Sequence, residues 1–214
     1  MATDSYIHRI EPAAPSDPSP ATPLLFVFHG TGADETQFLD LGRRLLPQAT
    51  VIAPRGDVSE HGAARFFRRT GEGVYDMDDL ARATRKMAGF VAAHRAAAKP
   101  SRVVGLGYSN GANILASVLF AVPGLFDAAV LMHPLIPFEP EDCGRLDPAR
   151  VLVTAGRRDP ICPPGQTTGL VATLQQRGAR TELFWHDGGH EIRPGEIAAA
   201  GAFLDRLPER TGAD

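Results

Sequence analysis

The chain of 214 residues has few cysteines, few lysines and no long apolar run. Cys143 and Cys162 are too few for a disulfide framework, and their spacing is not that of a zinc site. No stretch approaches the ~18 apolar residues that a membrane-spanning helix needs. The N-terminal segment also lacks the basic and apolar regions of a signal peptide. We therefore expect a protein of the reducing cytoplasm, without stable membrane insertion.

The charge of the chain is weakly negative. The formal net charge is -3, and Lys86 and Lys99 are the only lysines, so arginine supplies nearly all of the positive charge. Recognition of nucleic acid phosphates needs a clustered basic surface. The arginines here are scattered along the chain, apart from Arg65, Arg68 and Arg69. The sequence therefore predicts neither nucleic acid nor an anionic membrane as a partner.

The length is sufficient for one substantial hydrophobic core, and we expect a single domain over 1–214. Within it, 1–23 is expected to hold a short edge strand at 6–10 and a connector rich in proline. Proline neither continues a helix nor donates a hydrogen bond to a sheet, so the connector is expected to lack both.

Short apolar runs alternate with helical patterns from residue 24 onward. The runs predict strands over 24–28, 50–54, 102–107, 127–132, 150–156 and 179–185. The patterns between and after them predict helices over 34–46, 76–99, 110–120, 163–178 and 194–207, with Asp34 as the N-cap of the first. Such alternation predicts an α/β fold with a mostly parallel central sheet and helices on both faces. Ligands bind such sheets at the carboxyl ends of the strands.

The motif Gly107-x-Ser109-x-Gly111 lies between a predicted strand and a predicted helix. In that setting the serine occupies a strained turn, and the glycines let strand and helix pack closely. Serine is also favoured as an ordinary helix N-cap, and that alternative stays open. A dinucleotide-binding loop starting at Gly105 is disfavoured, because it needs glycine at position 110, where this chain has Asn110.

A serine hydroxyl is a weak nucleophile unless a base removes its proton. Asp159 follows the strand over 150–156, and His190 follows the last strand. The order Ser109, Asp159, His190 is that of an α/β-hydrolase triad. Asp159 is also compatible with an ordinary turn before proline. A zinc pair of His190 with His186 is disfavoured, because two glycines separate them and no third ligand lies nearby.

Acyl transfer through a serine also needs two donors for the oxyanion. The backbone N–H of Asn110, directly after Ser109, is one candidate. The other is the N–H of Thr31, in the glycine-rich loop that follows the strand over 24–28. Taken alone, that loop is also compatible with a flexible turn.

Five segments resemble the small serine carboxylesterases of the α/β-hydrolase superfamily, in particular the bacterial phospholipase/carboxylesterase group related to acyl-protein thioesterases. These segments are F-H-G-T-G-A-D-E, R-F-F-R-R, G-Y-S-N-G-A-N, A-G-R-R-D-P-I-C-P and G-G-H-E-I. R-F-F-R-R resembles the branch of hydroquinone-responsive esterases. The resemblance implies an α/β-hydrolase fold without a large lid. It implies Ser109 as nucleophile, His190 as general base and Asp159 as the residue that orients it, with the oxyanion hole at Thr31 and Asn110.

Two long loops, 54–75 and 133–149, are expected to wall the cleft. Apolar walls are typical of small-ligand sites, and four apolar side chains of these loops are candidate substrate contacts. They are Phe66, Phe67, Leu135 and Ile136. Each is equally compatible with a place in the core. We expect His133 to shape the floor of the site and Cys162 to be structural.

The sequence thus predicts a serine carboxylesterase that hydrolyses small carboxylic esters through an acyl-enzyme, without a metal or organic cofactor. A thioesterase or a lysophospholipase is the alternative among enzymes. A catalytically silent hydrolase fold that binds a ligand is the alternative outside enzymes. The expected partner is a small ester, and a homodimer is compatible with the sequence.

Overall fold

A seven-stranded sheet forms the centre of the computed structural model, which describes residues 2–14, 22–71, 73–140 and 144–208. The strands are β1 (His8–Glu11), β2 (Leu24–Phe28), β3 (Thr50–Pro54), β4 (Val58–Glu60), β5 (Ala63–Arg65), β6 (Arg69–Gly71), β7 (Val74–Tyr75), β8 (Val103–Tyr108), β9 (Ala128–Met132), β10 (Arg150–Gly156) and β11 (Arg180–His186). The helices are α1 (Leu39–Leu45), α2 (Met77–Ala98), α3 (Asn110–Ala121), α4 (Pro164–Gln176) and α5 (Pro194–Asp205). The sheet order is β1-β3-β2-β8-β9-β10-β11. Only the edge strand β1 is antiparallel to its neighbour in this sheet, which confirms the predicted α/β fold.

Alternate side chains of the buried strands face two different layers of helices. In β2, Phe26 and Phe28 belong to the cluster formed with α2, α3 and α4, whereas Leu25 and Val27 belong to the cluster formed with α1 and α5. Side chains of a strand point alternately to its two faces, so a strand that is apolar throughout fills both layers. The sheet is therefore covered by helices on both faces.

The helix predicted to begin at Asp34 begins at Leu39 instead. The Asp34 carboxylate accepts hydrogen bonds from the backbone N–H and the hydroxyl of Thr36, at 2.9 and 2.6 Å. Aspartate often forms such a local turn, in competition with a helix N-cap. The second helix does have an aspartate N-cap, because Asp76 accepts a hydrogen bond from the Asp79 N–H at the start of α2.

The loop predicted over 54–75 contains two small antiparallel pairs, β4 with β5 and β6 with β7. The N-terminal strand is shifted by one or two residues from its predicted position at 6–10. Cys143 and most of the proline-rich connector lie outside the described residues. Among the described residues, none of the helices is long and apolar enough to cross a membrane.

Candidate active site

Ser109 occupies a sharp turn between β8 and α3. Its φ and ψ of 53° and -118° lie in a region that residues other than glycine rarely adopt. A Cβ on Gly107 would come within 2.5 Å of the Gly111 carbonyl oxygen, and one on Gly111 within 2.2 Å of the Phe28 carbonyl oxygen. Glycine at both positions therefore permits the close approach of strand and helix that forms the turn.

Ser109, Asp159 and His190, which follow β8, β10 and β11, come together at the carboxyl edge of the sheet. The Oγ of Ser109 lies 2.9 Å from Nε2 of His190, and Nδ1 of His190 lies 2.7 Å from Oδ2 of Asp159. Asp159 is buried, whereas the His190 side chain keeps partial exposure. Both distances are within the hydrogen-bonding range needed to transfer a proton between a serine and a base.

The Asp159 carboxylate is held by four nitrogen contacts. Its Oδ1 accepts hydrogen bonds from the N–H groups of Ile161 and Cys162, at 2.8 and 2.9 Å. Its Oδ2 faces His133 as well as His190. Burial alone would raise the pKa of Asp159, but these hydrogen bonds outweigh it and lower the pKa. The side chain therefore stays ionised next to His190.

Thr31 and Asn110 both border the cavity in front of Ser109. Neither backbone N–H has a hydrogen-bond acceptor among the described residues, so both are available to a ligand. The N–H of Gly32 donates instead to the carbonyl of Ala64, at 3.0 Å. Of the neighbouring loop amides, that of Thr31 is therefore the one available beside Asn110.

His29 fixes the loop that carries Thr31. Its Nδ1 donates to the Gly30 carbonyl at 2.7 Å, and its Nε2 accepts the Gly56 N–H at 2.9 Å. Burial lowers the pKa of His29 despite the bond to Gly30, which keeps the ring neutral and able to accept. The ring thereby connects this loop to the one that follows β3.

The cavity in front of Ser109 has a volume of about 280 Å³. Of the four predicted substrate contacts, Leu135 borders it and the other three do not. Phe66 and Phe67 are fully buried, with the Phe66 ring against Phe28 and the Phe67 ring against Tyr75. Ile136 borders a separate surface depression. All three side chains belong to the hydrophobic core and do not line the cavity.

The cavity wall contains charged and polar groups beside the apolar side chains of Leu135 and Ile161. Arg65 and Arg69 both border the cavity, and Glu60 contacts each of them, at 3.3 and 2.9 Å. Arg65 is only 4% exposed, and it also donates to the hydroxyl of Thr31 at 2.8 Å. Two guanidinium groups against one carboxylate leave the wall with a net positive charge. The arginine cluster is visible in the sequence, but its place at the cavity is evident only in the folded chain.

Tyr75 and Asn113 connect the loops around the cavity. The amide of Asn113 donates to the Tyr75 hydroxyl at 2.8 Å and accepts the Leu135 N–H at 2.7 Å. The Tyr75 hydroxyl in turn donates to the Leu135 carbonyl at 2.6 Å. This closed set of hydrogen bonds fixes part of the cavity wall. These hydrogen bonds were not predictable from the sequence, because the partners are distant along the chain.

His133, His186 and Glu196 form a buried cluster behind Asp159, with ligand atoms close enough together for one metal ion. The hydrogen bonds of these side chains are not those of metal ligands. The Nδ1 of His186 accepts the Gly188 N–H at 2.9 Å, so its ring proton lies on Nε2, where a metal would bind. A histidine that binds metal through Nε2 normally carries its proton on Nδ1 and donates it. The cluster is therefore a hydrogen-bonded network.

Cys162 lies beside the same network and is buried. Its thiol donates to the His133 carbonyl, with a distance of 3.3 Å, and lies 3.8 Å from Nδ1 of His190. Burial, followed by the charge of Asp159, raises the pKa of the Cys162 thiol. A thiol is nucleophilic as the thiolate, so this one is poorly suited to attack a substrate. This agrees with the structural role expected from the sequence.

The fold and the family comparisons together define an α/β hydrolase. The chain belongs to the dienelactone hydrolase family, whose model matches residues 59–191. This result agrees with the resemblance to bacterial carboxylesterases.

Individual relatives cover nearly the whole chain. MhqD of Bacillus subtilis (strain 168) is 38% identical over 83% of this chain and 90% of its own. The crystal structure of Atu2452 from Agrobacterium tumefaciens, a protein of unknown function, is 58% identical with a TM-score of 0.87, over 96% of this chain and 98% of that one. The Bacillus cereus carboxylesterase is 34% identical with a TM-score of 0.86, over 93% of each chain.

Proposed function

We propose that this hydrolase is a serine carboxylesterase that acts on small esters through an acyl-enzyme on Ser109. The observation that carries the proposal is the continuous contact from Ser109 Oγ to His190 Nε2 and from His190 Nδ1 to Asp159, at 2.9 and 2.7 Å. That arrangement supplies a nucleophile, a base and a group that orients the base.

The hydrogen bonds of Ser109 and His190 indicate how the proton moves during the proposed reaction. His190 Nε2 takes the proton of Ser109 while Oγ attacks the ester carbonyl carbon, and the oxyanion accepts hydrogen bonds from the N–H groups of Thr31 and Asn110. Collapse of the tetrahedral intermediate breaks the bond to the alcohol oxygen, to which His190 returns the proton. Water then attacks the acyl-enzyme with the same base and releases the acid. Asp159 stabilises the imidazolium that forms twice in this cycle.

The size of the cavity favours small esters over the alternative enzyme functions. A volume of about 280 Å³ is slightly below the range of typical ligand pockets, which span about 300–1,000 Å³. A lysophospholipase would need a long apolar surface for the acyl chain, whereas this wall contains Arg65, Arg69, Tyr75 and Asn113. A small thioester remains the competing substrate, because its acyl transfer uses the same groups.

The two arginines favour an ester that carries a carboxylate away from the scissile bond. A guanidinium binds a carboxylate through paired N–H donors. Nη2 of Arg65 has no partner among the described residues, and among them no aspartate or glutamate borders the cavity. A ligand carboxylate would therefore meet donors and no opposing charge at the wall itself.

Labelling with a fluorophosphonate probe separates the enzyme from a silent binding protein. The proposal predicts stoichiometric labelling of Ser109 in the native protein and its loss after heat denaturation. A folded protein that remains unlabelled would favour the silent ligand-binding alternative.

A matched ester pair tests the substrate charge. We expect monomethyl succinate to have at least about tenfold higher kcat/KM than methyl butyrate, a neutral ester of similar size, since tenfold is about 1.4 kcal/mol. Arg69→Gln should raise KM for the succinate ester and leave the butyrate ester unchanged. Arg180→Gln, at an exposed site on β11, is the control. Equal preference for the two esters would contradict the carboxylate assignment while leaving the esterase proposal intact.

A further inference from the structure

The ring of His133 lies between two buried carboxylates. Its Nδ1 is 2.8 Å from Oδ2 of Asp159, and its Nε2 is 3.1 Å from Oε1 of Glu196. All three side chains are 0% exposed. Oδ2 of Asp159 is the same oxygen that faces His190 Nδ1. His133 and His190 therefore share one carboxylate oxygen.

The other hydrogen bonds of Glu196 favour its ionised form. Its Oε1 accepts from the Thr154 hydroxyl at 2.7 Å, and its Oε2 accepts from the Arg193 N–H at 2.7 Å. His186 has its proton on Nε2 and directs it to Oε2 of Glu196, at 3.1 Å. Nε2 of His133 also lies 3.4 Å from Nε2 of His186, but the shorter contact of each of these nitrogens, at 3.1 Å, is with Glu196. With Glu196 ionised, as Asp159 is, the nearest partner of each His133 nitrogen is an anionic acceptor. Both positions on the ring therefore need a proton.

The pKa directions agree with this proton count. Burial alone would lower the pKa of His133, but hydrogen bonds and charge from Glu196 and Asp159 outweigh it and raise the pKa. Burial would likewise raise the pKa of Glu196, but its bonds to His133, Thr154 and the Arg193 N–H lower it. The cluster of Asp159, His133 and Glu196 then carries one net negative charge.

We propose that His133 is a positioning residue of the Ser109 site, a buried imidazolium that fixes Asp159 from behind and offsets part of its charge. The inference rests on the proposed esterase function, because it concerns the base of that reaction. Without the positive charge of His133, the Asp159 carboxylate would stabilise the protonated form of His190 more strongly. His190 accepts the serine proton only when its ring is neutral. His133 thereby keeps the base in its active form at neutral pH.

Among the described residues, the titratable side chains of His190, His186, Tyr108 and Cys162 also lie against His133. Its ring centre lies 5.0 Å from that of His190, 5.3 Å from that of His186 and 5.8 Å from that of Tyr108. The Tyr108 hydroxyl donates to the His190 carbonyl, at 2.7 Å. The Cys162 thiol donates to the backbone carbonyl of His133 and contributes no charge to the ring. Asp159 and Glu196 are therefore the charges that decide its protonation.

NMR of protein labelled with ¹⁵N-histidine tests the imidazolium directly and does not depend on activity. We expect the His133 ring to keep both nitrogens protonated at pH 7 and above, beyond the usual titration of histidine near ~6.5. Glu196→Gln should return the ring to a neutral form near pH 7, which also assigns the signal. A neutral His133 ring at pH 7 in the native protein would overturn the proposal.

The pH profile of kcat/KM tests the consequence for catalysis. His133→Asn keeps a donor toward Asp159, removes the charge and suits the positive φ of 51° at this position. We expect the midpoint of the acid limb to move up by about one to two pH units, because a charge about 5 Å from His190 is lost. Activity should fall by about tenfold or more at pH 6.5 and recover above roughly pH 9.

A merely structural role would lower kcat/KM equally at every pH, and that result would overturn the proposal. Asp187→Asn, which removes an exposed acidic group adjacent to His186, is the control and should leave the midpoint in place. Failure of the esterase proposal is distinguishable from failure of the His133 proposal. It would appear as absent fluorophosphonate labelling of the native protein, whatever the protonation state of His133.

Discussion

The Nε2 of His190 lies 2.9 Å from the Oγ of Ser109, although 81 positions separate the two residues along the chain. The contact forms because both residues follow parallel strands, whose carboxyl ends meet at one edge of the sheet. A neutral imidazole can accept the serine proton from this position, whereas a protonated one cannot.

The activity should therefore depend on the protonation of His190. We expect kcat/KM to rise with pH and then level off, because the base accepts the serine proton only in its neutral form. His190→Gln should abolish this limb together with nearly all activity. Steady-state kinetics with a neutral ester provide the measurement. A wild-type profile that is flat from pH 5 to 8 would indicate a different base.

The backbone N–H of Thr31 is expected to bind the oxyanion. Thr31→Pro removes that N–H and should reduce kcat by about 10²- to 10³-fold, as loss of one such donor does elsewhere. Thr31→Ser keeps both the N–H and the hydroxyl that accepts from Arg65, so it should retain most of the activity. Circular dichroism melting curves must show that both variants are folded. Equal kcat for Thr31→Pro and wild type would exclude this donor.

The close approach of α3 to β2 should make Gly111 irreplaceable for stability. A Cβ at this position would come within 2.2 Å of the Phe28 carbonyl oxygen, whereas one on Gly169 in α4 would have nothing within 4 Å. We expect Gly111→Ala to destabilise the protein by at least about 3 kcal/mol, as severe overpacking does. Gly169→Ala should stabilise it by about 0.5–1 kcal/mol through helix propensity. Urea unfolding measures both, and a neutral Gly111→Ala would contradict the geometry.

We expect the free energy of unfolding to fall at acid pH, in part because Asp79 becomes protonated. Burial alone would raise the pKa of Asp79, but hydrogen bonds from Arg82 and from the Arg68 N–H outweigh it and lower the pKa. Because the pKa of Asp79 is lower in the folded than in the unfolded protein, its ionised form stabilises the fold at pH values above the unfolded pKa near ~3.9. This stabilisation is lost as the pH falls through the folded pKa.

Asp79→Asn tests this dependence. The variant should lose about 1–3 kcal/mol of unfolding free energy at pH 7, and the difference from wild type should shrink toward pH 3. Asp78→Asn, an exposed neighbour on the same turn, is the control. Urea unfolding at several pH values provides the comparison. A difference for Asp79→Asn that stays constant with pH would mean that its charge does not matter.

The positions of Ser109, Asp159 and His190 could be predicted because each follows a strand that local sequence reveals. Apolar runs of strand length and the glycines around Ser109 are local signals, and parallel strands bring their ends together. The start of the first helix was not predictable in this way. Asp34 is equally suited to a helix N-cap and to the turn with Thr36, and only the tertiary structure decides between them.

The polar cavity wall and the buried network could not be predicted for a different reason. Arg65 and Tyr75 reach the cavity through a long loop whose path depends on contacts with distant residues. Glu196, in the first turn of α5, has the sequence position of an ordinary capping residue, and it does accept the Arg193 N–H. Only the folded chain shows that the same carboxylate also faces His133.

Trapping the acyl-enzyme tests the account most directly. A nitrophenyl ester should give a burst of nitrophenol, and mass spectrometry after rapid acid quench should place the acyl group on Ser109. Ser109→Ala should reduce kcat by about 10⁴- to 10⁶-fold without a burst. Ser117→Ala, another serine of the same region whose hydroxyl donates to the Asn113 carbonyl of its own helix, should keep both the burst and the activity. An acyl group found on another residue, or turnover retained by folded Ser109→Ala protein, would contradict the account.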